Sequence, residues 1–380
     1  MTAQRIAIYV QHVLGAGHLV RAMSLAEALS QCGHRVLLIS GGFPIGREVK
    51  GYQYYQLPPT KAIGNNFTRL IDDRGQLIDA SWREQRRDIL LSTVATFKPD
   101  LVITETFPFG RRIFHFELEP LMHWVKQQPN MYLMASIRDV LQRRSEPKNR
   151  FTVEVVNKYY DGVLVHADER LFKLDASFMH TDKIEDKLFY TGYIHDAVDA
   201  PPDDGATTGR NEIIVSGGSG AVSAQLMAVA PLAKPMSNAS SYVWRMMTGN
   251  DRSKPAYSPE PGLIIEPNRD DFYALLGRCA LSVSLAGYNT TLDVLASGVR
   301  SVMVPFVGSH ETEQSDRAQA LERAGRIIQV PETDLSPKSL AQAIDRALEM
   351  APVQIEVNMH GAQTSARIVT EKLQQWQAAA

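Results

Sequence analysis

The sequence predicts an α/β protein of two Rossmann-like, doubly wound domains facing a central cleft. Three observations carry that prediction. The chain has 380 residues, 44% of them apolar, which is more than one ordinary core holds. Short apolar runs alternate with helical periodicities along its whole length. Residues 201–210 (PPDDGATTGR) are rich in turn formers and poor in apolar side chains, and the alternation starts again after them.

In the first half, RIAIYV (5–10) reads as a strand, a glycine-bearing loop follows, and Leu19, Met23, Leu25, Ala26 and Leu29 space a helix over 19–31. The pattern continues through RVLLIS (35–40), a helix over 82–97, LVITE (101–105), a helix over 117–128 and MYLMAS (131–136). A helix over 149–160, GVLVHA (162–167) and LFYTGYI (188–194) close this half. Such alternation gives a parallel sheet covered by helices. The second series comprises EIIVSGG (212–218), SYVWRMM (241–247), GLIIE (262–266), ALSVSL (280–285) and SVMVPF (301–306). A helix over 314–324, RIIQV (326–330) and a helix opened by Ser336 and Pro337 as cap and first turn complete it. The expected organisation is a domain over 1–200, a linker over 201–210, a domain over 211–360, and a C-terminal helix over 361–380 packing back toward the first domain. In open α/β sheets ligands collect outside the carboxyl ends of the strands, so the strand-end loops should carry the site.

A formal charge of −2 supplies no positive field for phosphate attraction, which argues against a nucleic-acid partner. Only Cys32 and Cys279 are present, each beside apolar residues, and they read as buried free thiols rather than a disulfide or metal cluster. MTAQRIAIYV enters a strand without a secretory leader, so a cytoplasmic protein is expected. No run of about 18 apolar residues exists, which leaves only peripheral contact with a membrane surface, at its inner face, open.

Two strand-to-helix loops are rich in glycine. The first, QHVLGAGHLVR (11–21), holds Gly15, Gly17 and His18. Its third fingerprint position is Val20, and the second strand ends without an acidic residue, so a dinucleotide site is disfavoured; a tight turn with a capping histidine is the plain alternative. The second, SGGSG (216–220), holds Gly217, Gly218 and Ser219 at a helix start, where backbone N–H groups and the helix dipole favour a phosphate. Ala221 breaks a hydrolase nucleophile elbow, and the Gly-Lys-Ser/Thr ending of a P-loop is missing; a plain turn stays open here too.

The segment LAGYNTTLDVLASGVRSVMVPF (285–306), followed by ETEQSDRA (311–318), resembles the nucleotide-sugar signature of GT-B glycosyltransferases, and within them the MurG-like group that adds N-acetylglucosamine to a lipid-linked precursor. The resemblance aligns Gly287, Thr290, Asp293, Gly298, Pro305 and Phe306, with Asn289 in the same turn, and implies that Asp293 holds the donor ribose. It further implies that Glu313 and Gln314 touch the donor sugar, although Glu313 stands where glutamine is expected. GAGHLVRAMSLA (15–26) is similar both to the transferase loop and to the Gly-x-Gly-His-x-x-Arg loop of a related nucleotide-sugar hydrolase, while residues 41–75 and 104–112 match neither.

These features imply an inverting, metal-independent transferase. No Asp-x-Asp pair is present, and Leu285 occupies the place where retaining relatives carry an acid. The donor is expected to be a UDP-linked sugar and the acceptor a hydroxyl compound, with anionic and lipid-linked acceptors included; no cofactor beyond this substrate is implied. Direct displacement needs a base for the acceptor hydroxyl, and His18 is the first choice, with Glu105 behind it. Arg21, Arg111, Arg112 and Arg138 are candidates to meet an anionic acceptor. Hydrolysis of the donor, and sugar-nucleotide binding without catalysis, are the alternative functions.

Overall fold

The structure, a computed structural model, describes residues 3–13, 16–63, 66–195, 208–217, 223–248, 260–307, 312–351 and 356–379. It divides into two compact units. One comprises Met1–Glu169, Lys173–Asp196 and His360–Ala380; the other comprises Arg170–Phe172 and Ala197–Met359. Residues 201–207 of the expected linker lie outside the described residues.

The first unit runs β1 (Arg5–Val10), α1 (Gly17–Gln31), β2 (Arg35–Ser40), β3 (Gln53–Gln56), β4 (Lys61–Ile63), β5 (Asn66–Ile71), α2 (Ala80–Phe97) and β6 (Leu101–Glu105). It continues with α3 (His115–Lys126), β7 (Tyr132–Arg138), α4 (Glu146–Tyr159), β8 (Gly162–His166) and β9 (Leu188–Tyr190). The order β3-β2-β1-β6-β7-β8-β9 makes one sheet, parallel throughout, and β4 and β5 form a separate antiparallel hairpin. Ile6–Val10 of β1 and Leu101–Ile103 of β6 are unbroken apolar runs because helices cover both faces, so neither run needs a polar side. On one face Ile6, Ile8 and Val10 pack with Leu19, Met23 and Leu29 of α1.

The second unit runs β10 (Glu212–Ser216), α5 (Ala224–Ala233), β11 (Val243–Met247), β12 (Leu263–Glu266), α6 (Phe272–Arg278), β13 (Leu281–Ser284) and α7 (Tyr288–Ser297). β14 (Ser301–Met303), α8 (Glu313–Arg323), β15 (Ile328–Gln329) and α9 (Pro337–Glu349) follow. Its parallel sheet has the order β12-β11-β10-β13-β14-β15. α5 and α9 cover one face, while α6, α7 and α8 cover the other. Ser336 caps α9 by accepting from the Ser339 N–H, with Pro337 in the first turn. RIIQV yields only the two-residue edge strand β15, paired with β14.

The last helix, α10 (Gly361–Ala379), belongs to the first unit, where Ala366, Val369 and Leu373 join the α1 face of its core and Trp376 stacks on Tyr132 at 4.8 Å. Gly361 is required there: a Cβ would sit 2.4 Å from the Gly192 carbonyl oxygen. Both cysteines depart from expectation, Cys32 being exposed just past α1 and Cys279 half-buried. No helix among the described residues is long and apolar enough to cross a membrane.

The other face of the first sheet contains a fully buried ion pair. Arg86 of α2 donates from Nε to Glu117 Oε2 of α3 at 2.9 Å and from Nη2 to Oε1 at 3.0 Å. The Arg86 fork also donates to the Gly41 and Pro58 carbonyls at 3.1 and 3.0 Å and to the Gln11 side chain, and Tyr9 donates to Glu117. Both charges are 0% exposed, so each depends on the other. Gln11 in turn donates to the His12 carbonyl at 2.7 Å, which ties the loop after β1 to this network. Arg86→Met leaves the buried Glu117 charge without its counter-charge and with Tyr9 as its remaining side-chain donor, and urea unfolding should show a loss of about 3–5 kcal/mol. A loss below about 1 kcal/mol would mean that the pair is not a structural anchor.

Candidate active site

In each sheet the strand order reverses at one place, and there the carboxyl ends of two neighbouring strands open a crevice. In the first unit the reversal lies between β1 and β6, and in the second between β10 and β13. The residues selected from the sequence stand at these two places.

In the first unit, α1 follows β1 and begins at Gly17, which puts His18 in its first turn. Glu105 is the last residue of β6, the next strand. His18 Nδ1 lies 3.0 Å from Glu105 Oε1. Arg21, three residues on and on the same helical face, donates from Nη2 to that same oxygen. Thr106 donates to Oε1 at 3.3 Å and lies 3.1 Å from His18 Nδ1, held there with φ at 71°. A β-branched residue in the left-handed region is strained by about 1–3 kcal/mol, and the turn is retained by the Thr106 N–H donating to the Ser136 carbonyl at 2.7 Å. Gly110 makes room for it, since a Cβ would sit 2.7 Å from the Thr106 methyl.

The carboxylate selects one histidine tautomer. Glu105 can only accept, so a proton on His18 Nδ1 satisfies it and leaves the Nε2 lone pair available; Arg21 Nη2, a donor 3.1 Å from the same Nδ1, is itself turned to the Glu105 oxygen. No group among the described residues bonds to Nε2, and the ring is 15% exposed while Glu105 is 1% exposed. Burial first, and then the charges of Arg111 and Arg21, lower the His18 pKa to about 3 against the support of Glu105. Its position in the first turn of a helix acts in the same direction. Burial alone would raise the Glu105 carboxyl, but Arg21, and after it His18, hold it well below the usual carboxylate range. The pair is therefore a neutral imidazole backed by an ionised carboxylate, an arrangement suited to accepting a proton at Nε2.

The four arginines separate. Arg21 is buried and committed to Glu105, which removes it from an acceptor site. Arg112 donates to the Lys148 carbonyl and to Thr152 Oγ1 and lies over the Phe151 ring. Arg111 donates from Nε to the Gln11 carbonyl at 3.0 Å, and Arg138 ends β7 half-buried.

In the second unit Gly217 follows β10 and Gly287 precedes α7. Gly217 is imposed by packing, since a Cβ would meet Ser223 at 2.4 Å. At Gly287 nothing lies within 4 Å of a Cβ, and the same holds at Gly17. Asn289, Thr290 and Asp293 share one side of α7 at helical spacing, Asn289 exposed and the other two half-buried. Gln314 Oε1 accepts from the Phe306 N–H at 3.1 Å, so it braces the loop after β14, and Glu313 begins α8. Gly15, Gly218 and Ser219 lie outside the described residues. The hydroxyls of Ser216 and Ser284, opposite each other at the ends of β10 and β13, are buried without a hydrogen-bond partner among the described residues.

Sequence reasoning missed Arg317 of α8, which is buried, donates to the Ala286 carbonyl at 3.0 Å and lies over the Tyr288 ring. It also missed Ser136 and His166, which approach Glu105 from β7 and β8. Strands that are neighbours in the sheet are far apart in the chain, and no local spacing signals them.

Comparison with known proteins follows the same division. Residues 213–372 match the glycosyltransferase family 28 C-terminal domain. Curated relatives named UDP-N-acetylglucosamine--N-acetylmuramyl-(pentapeptide) pyrophosphoryl-undecaprenol N-acetylglucosamine transferase align locally. The Thermotoga neapolitana protein is 28% identical over 28% of this chain and 32% of its own length. The Methylibium petroleiphilum protein is 32% identical over 25% of this chain and 26% of its own, so the chain aligns with about a third of these relatives or less. Similarity to solved structures extends over nearly the whole chain. Acinetobacter baumannii MurG superposes with a TM-score of 0.62 at 16% identity, covering 97% of this chain and 99% of that one. The kitacinnamycin glycosyltransferase gives 0.68 at 14% identity, covering 98% and 100%. Residues 213–372 thus match the glycosyltransferase family 28 C-terminal domain, in a chain whose fold is similar to that of solved GT-B glycosyltransferases, MurG among them.

Proposed function

We propose that the protein transfers a sugar from a UDP-linked donor to a hydroxyl acceptor, with inversion at the anomeric carbon and without a metal ion. The observation that carries this reading is the His18–Glu105 pair, a proton acceptor whose Nε2 has no hydrogen-bond partner among the described residues, in a chain that also matches the family 28 C-terminal domain. In this reading Asp293 receives the ribose hydroxyls, Gly287, Asn289 and Thr290 bring the first turn of α7 to the nucleotide, and Glu313 and Gln314 meet the donor sugar. Gly217, Gly218 and Ser219 receive the diphosphate at the start of α5, and backbone N–H groups stabilise the charge that develops as it leaves. Gly15 and Gly17 let the acceptor approach the backbone beside His18. Inversion and metal independence rest on Leu285 and on the lack of an Asp-x-Asp pair. The relatives' names make pyrophosphoryl-undecaprenol-linked sugars the first acceptors to test. Contact with such an acceptor places the protein at the inner face of a membrane, as a peripheral component.

His18 accepts the acceptor hydroxyl proton at Nε2 as the oxygen attacks the anomeric carbon. The imidazolium formed faces the Glu105 carboxylate, which offsets its charge without taking its proton. His18→Ala, folded by its melting curve, should lose about 100-fold to 10,000-fold in kcat with saturating donor and acceptor while UDP affinity is unchanged. Turnover within a few-fold of the parent removes His18 from the mechanism. Donor consumption without acceptor, at a rate matching that with acceptor, identifies a hydrolase instead.

The lowered His18 pKa fixes the sign of the pH dependence. A base whose pKa lies below its ordinary value of 6.5 stays neutral, and competent, as the pH falls past that value. The acidic limb of kcat/KM should therefore lie well below pH 6.5. A limb centred at 6.5 would show that His18 is solvated like a free imidazole in the working enzyme.

Asp293→Ala should weaken UDP binding about ten-fold to a hundred-fold, the scale of hydrogen bonds made by a charged group, without lowering the melting temperature. Unchanged calorimetric affinity assigns the Asp293 carboxylate to solvent rather than to the ribose.

A further inference from the structure

Beyond Glu105 the hydrogen bonds continue inward. Ser136 Oγ, from β7, lies 2.5 Å from Glu105 Oε2 and 2.8 Å from His166 Nε2, at the end of β8. His166 Nδ1 lies 2.8 Å from Thr191 Oγ1, just past β9. Ser136 is 1% exposed, and His166 and Thr191 are 0% exposed. The parallel register sets Ser136 opposite Glu105, and His166 lies two residues further along β8 than the partner of Ser136, at the same carboxyl end of the sheet.

The ionised Glu105 fixes the direction of the bonds around Ser136. An ionised Glu105 only accepts, so the Ser136 hydroxyl proton points at Oε2. Ser136 Oγ is then left to accept, and His166 Nε2 must be the donor. His166 faces Arg21 and Glu105, and burial first, then the Arg21 charge, lowers its pKa to about 3. With the ring neutral and Nε2 protonated, Nδ1 is the acceptor facing the Thr191 hydroxyl at 2.8 Å, and the Gly192 carbonyl at 2.9 Å competes with it for that one proton. The opposite tautomer would turn the Ser136 proton toward His166 and take it from Glu105. Donors aligned in one sense polarise one another, and a buried chain of this kind holds its members to one geometry. A histidine with no access to solvent or substrate has no evident use in packing that an apolar side chain would not serve better.

We propose that Ser136 and His166 are positioning residues: they pin the second oxygen of Glu105 so that its first oxygen holds His18 in the Nδ1–H form. The inference rests on the reading of His18 as the base, but its structural content can be measured without turnover. In protein labelled with ¹⁵N at histidine, long-range ¹H–¹⁵N correlation spectra at neutral pH report which ring nitrogen is protonated, and the His18 signals are identified by their loss in His18→Gln. The parent should show the Nδ1–H pattern for His18 and the Nε2–H pattern for His166. Ser136→Ala and His166→Leu should each shift His18 toward a mixture of tautomers and lower kcat on the order of 10-fold to 100-fold, with donor KM unchanged. His166→Gln, which can still donate an N–H to Ser136, should restore the parent His18 pattern. Should Ser136→Ala fail to fold, Ser136→Cys takes its place, keeping the volume but donating weakly. Folded variants that keep the parent His18 tautomer, or a parent His166 in the Nδ1–H form, overturn the relay. His18→Ala with normal turnover overturns the base and leaves the spectroscopic result for the relay standing, so the two failures are distinguishable.

Discussion

One buried carboxylate organises the first unit. Glu105 is 1% exposed, and a charge so placed costs several kcal/mol unless it is paired and hydrogen-bonded. Arg21 supplies the opposite charge, while His18, Thr106 and Ser136 supply further donors. Those partners come from α1, the turn after β6, and β7, so satisfying this one group requires the ends of three neighbouring strands and the start of a helix to be in register. The His-x-x-Arg spacing follows directly. Residues three apart on a helix share a face, and that spacing lets both side chains reach the same carboxylate oxygen.

The second unit meets the same architectural demand by different means. Its two selected loops are held from the protein side: Ser223 packs so tightly on Gly217 that no side chain fits, and Arg317 clasps the Ala286 carbonyl from α8. Gln314 braces the Phe306 N–H from the same helix. Two kinds of glycine are distinguished here. Gly217 answers to packing within the protein, whereas the open surroundings of Gly287 and Gly17 mean that any demand for glycine at those positions comes from a ligand or from the backbone path.

This division explains what was legible in the sequence. Both sheets were, because strands buried on two faces are written as unbroken apolar runs and their covering helices as 3.6-residue periodicities. The α9 cap was too, since Ser336 and Pro337 act locally. The β3 strand was not, because QYYQ sits half-exposed at the sheet edge and carries no apolar signature. Nor was the exposure of Cys32, which depends on where α1 ends rather than on its neighbours in sequence. The glycine loops and His18 stood out because their spacing is local. Ser136 and His166 did not, for they meet Glu105 only through strand pairing across a sheet built from segments about 30 residues apart.

The same network separates the two carboxyl and imidazole groups that could serve as base. Both Glu105 oxygens are already bonded to donors, and removing its proton-accepting capacity is what stabilises it: Arg21 holds the carboxyl ionised and burial closes it to a substrate. Its basicity is spent inside the protein. His18 is held at one nitrogen only, and its other nitrogen faces away from every described partner while the ring keeps 15% of its exposure. The low pKa of His18 is the cost of burial first and of standing beside Arg111 and Arg21 after it, yet that cost falls on the charged form alone. In the proposed transfer the part of it owed to the two arginines is offset by negative charge developing on the substrate, at the moment when a proton has to move.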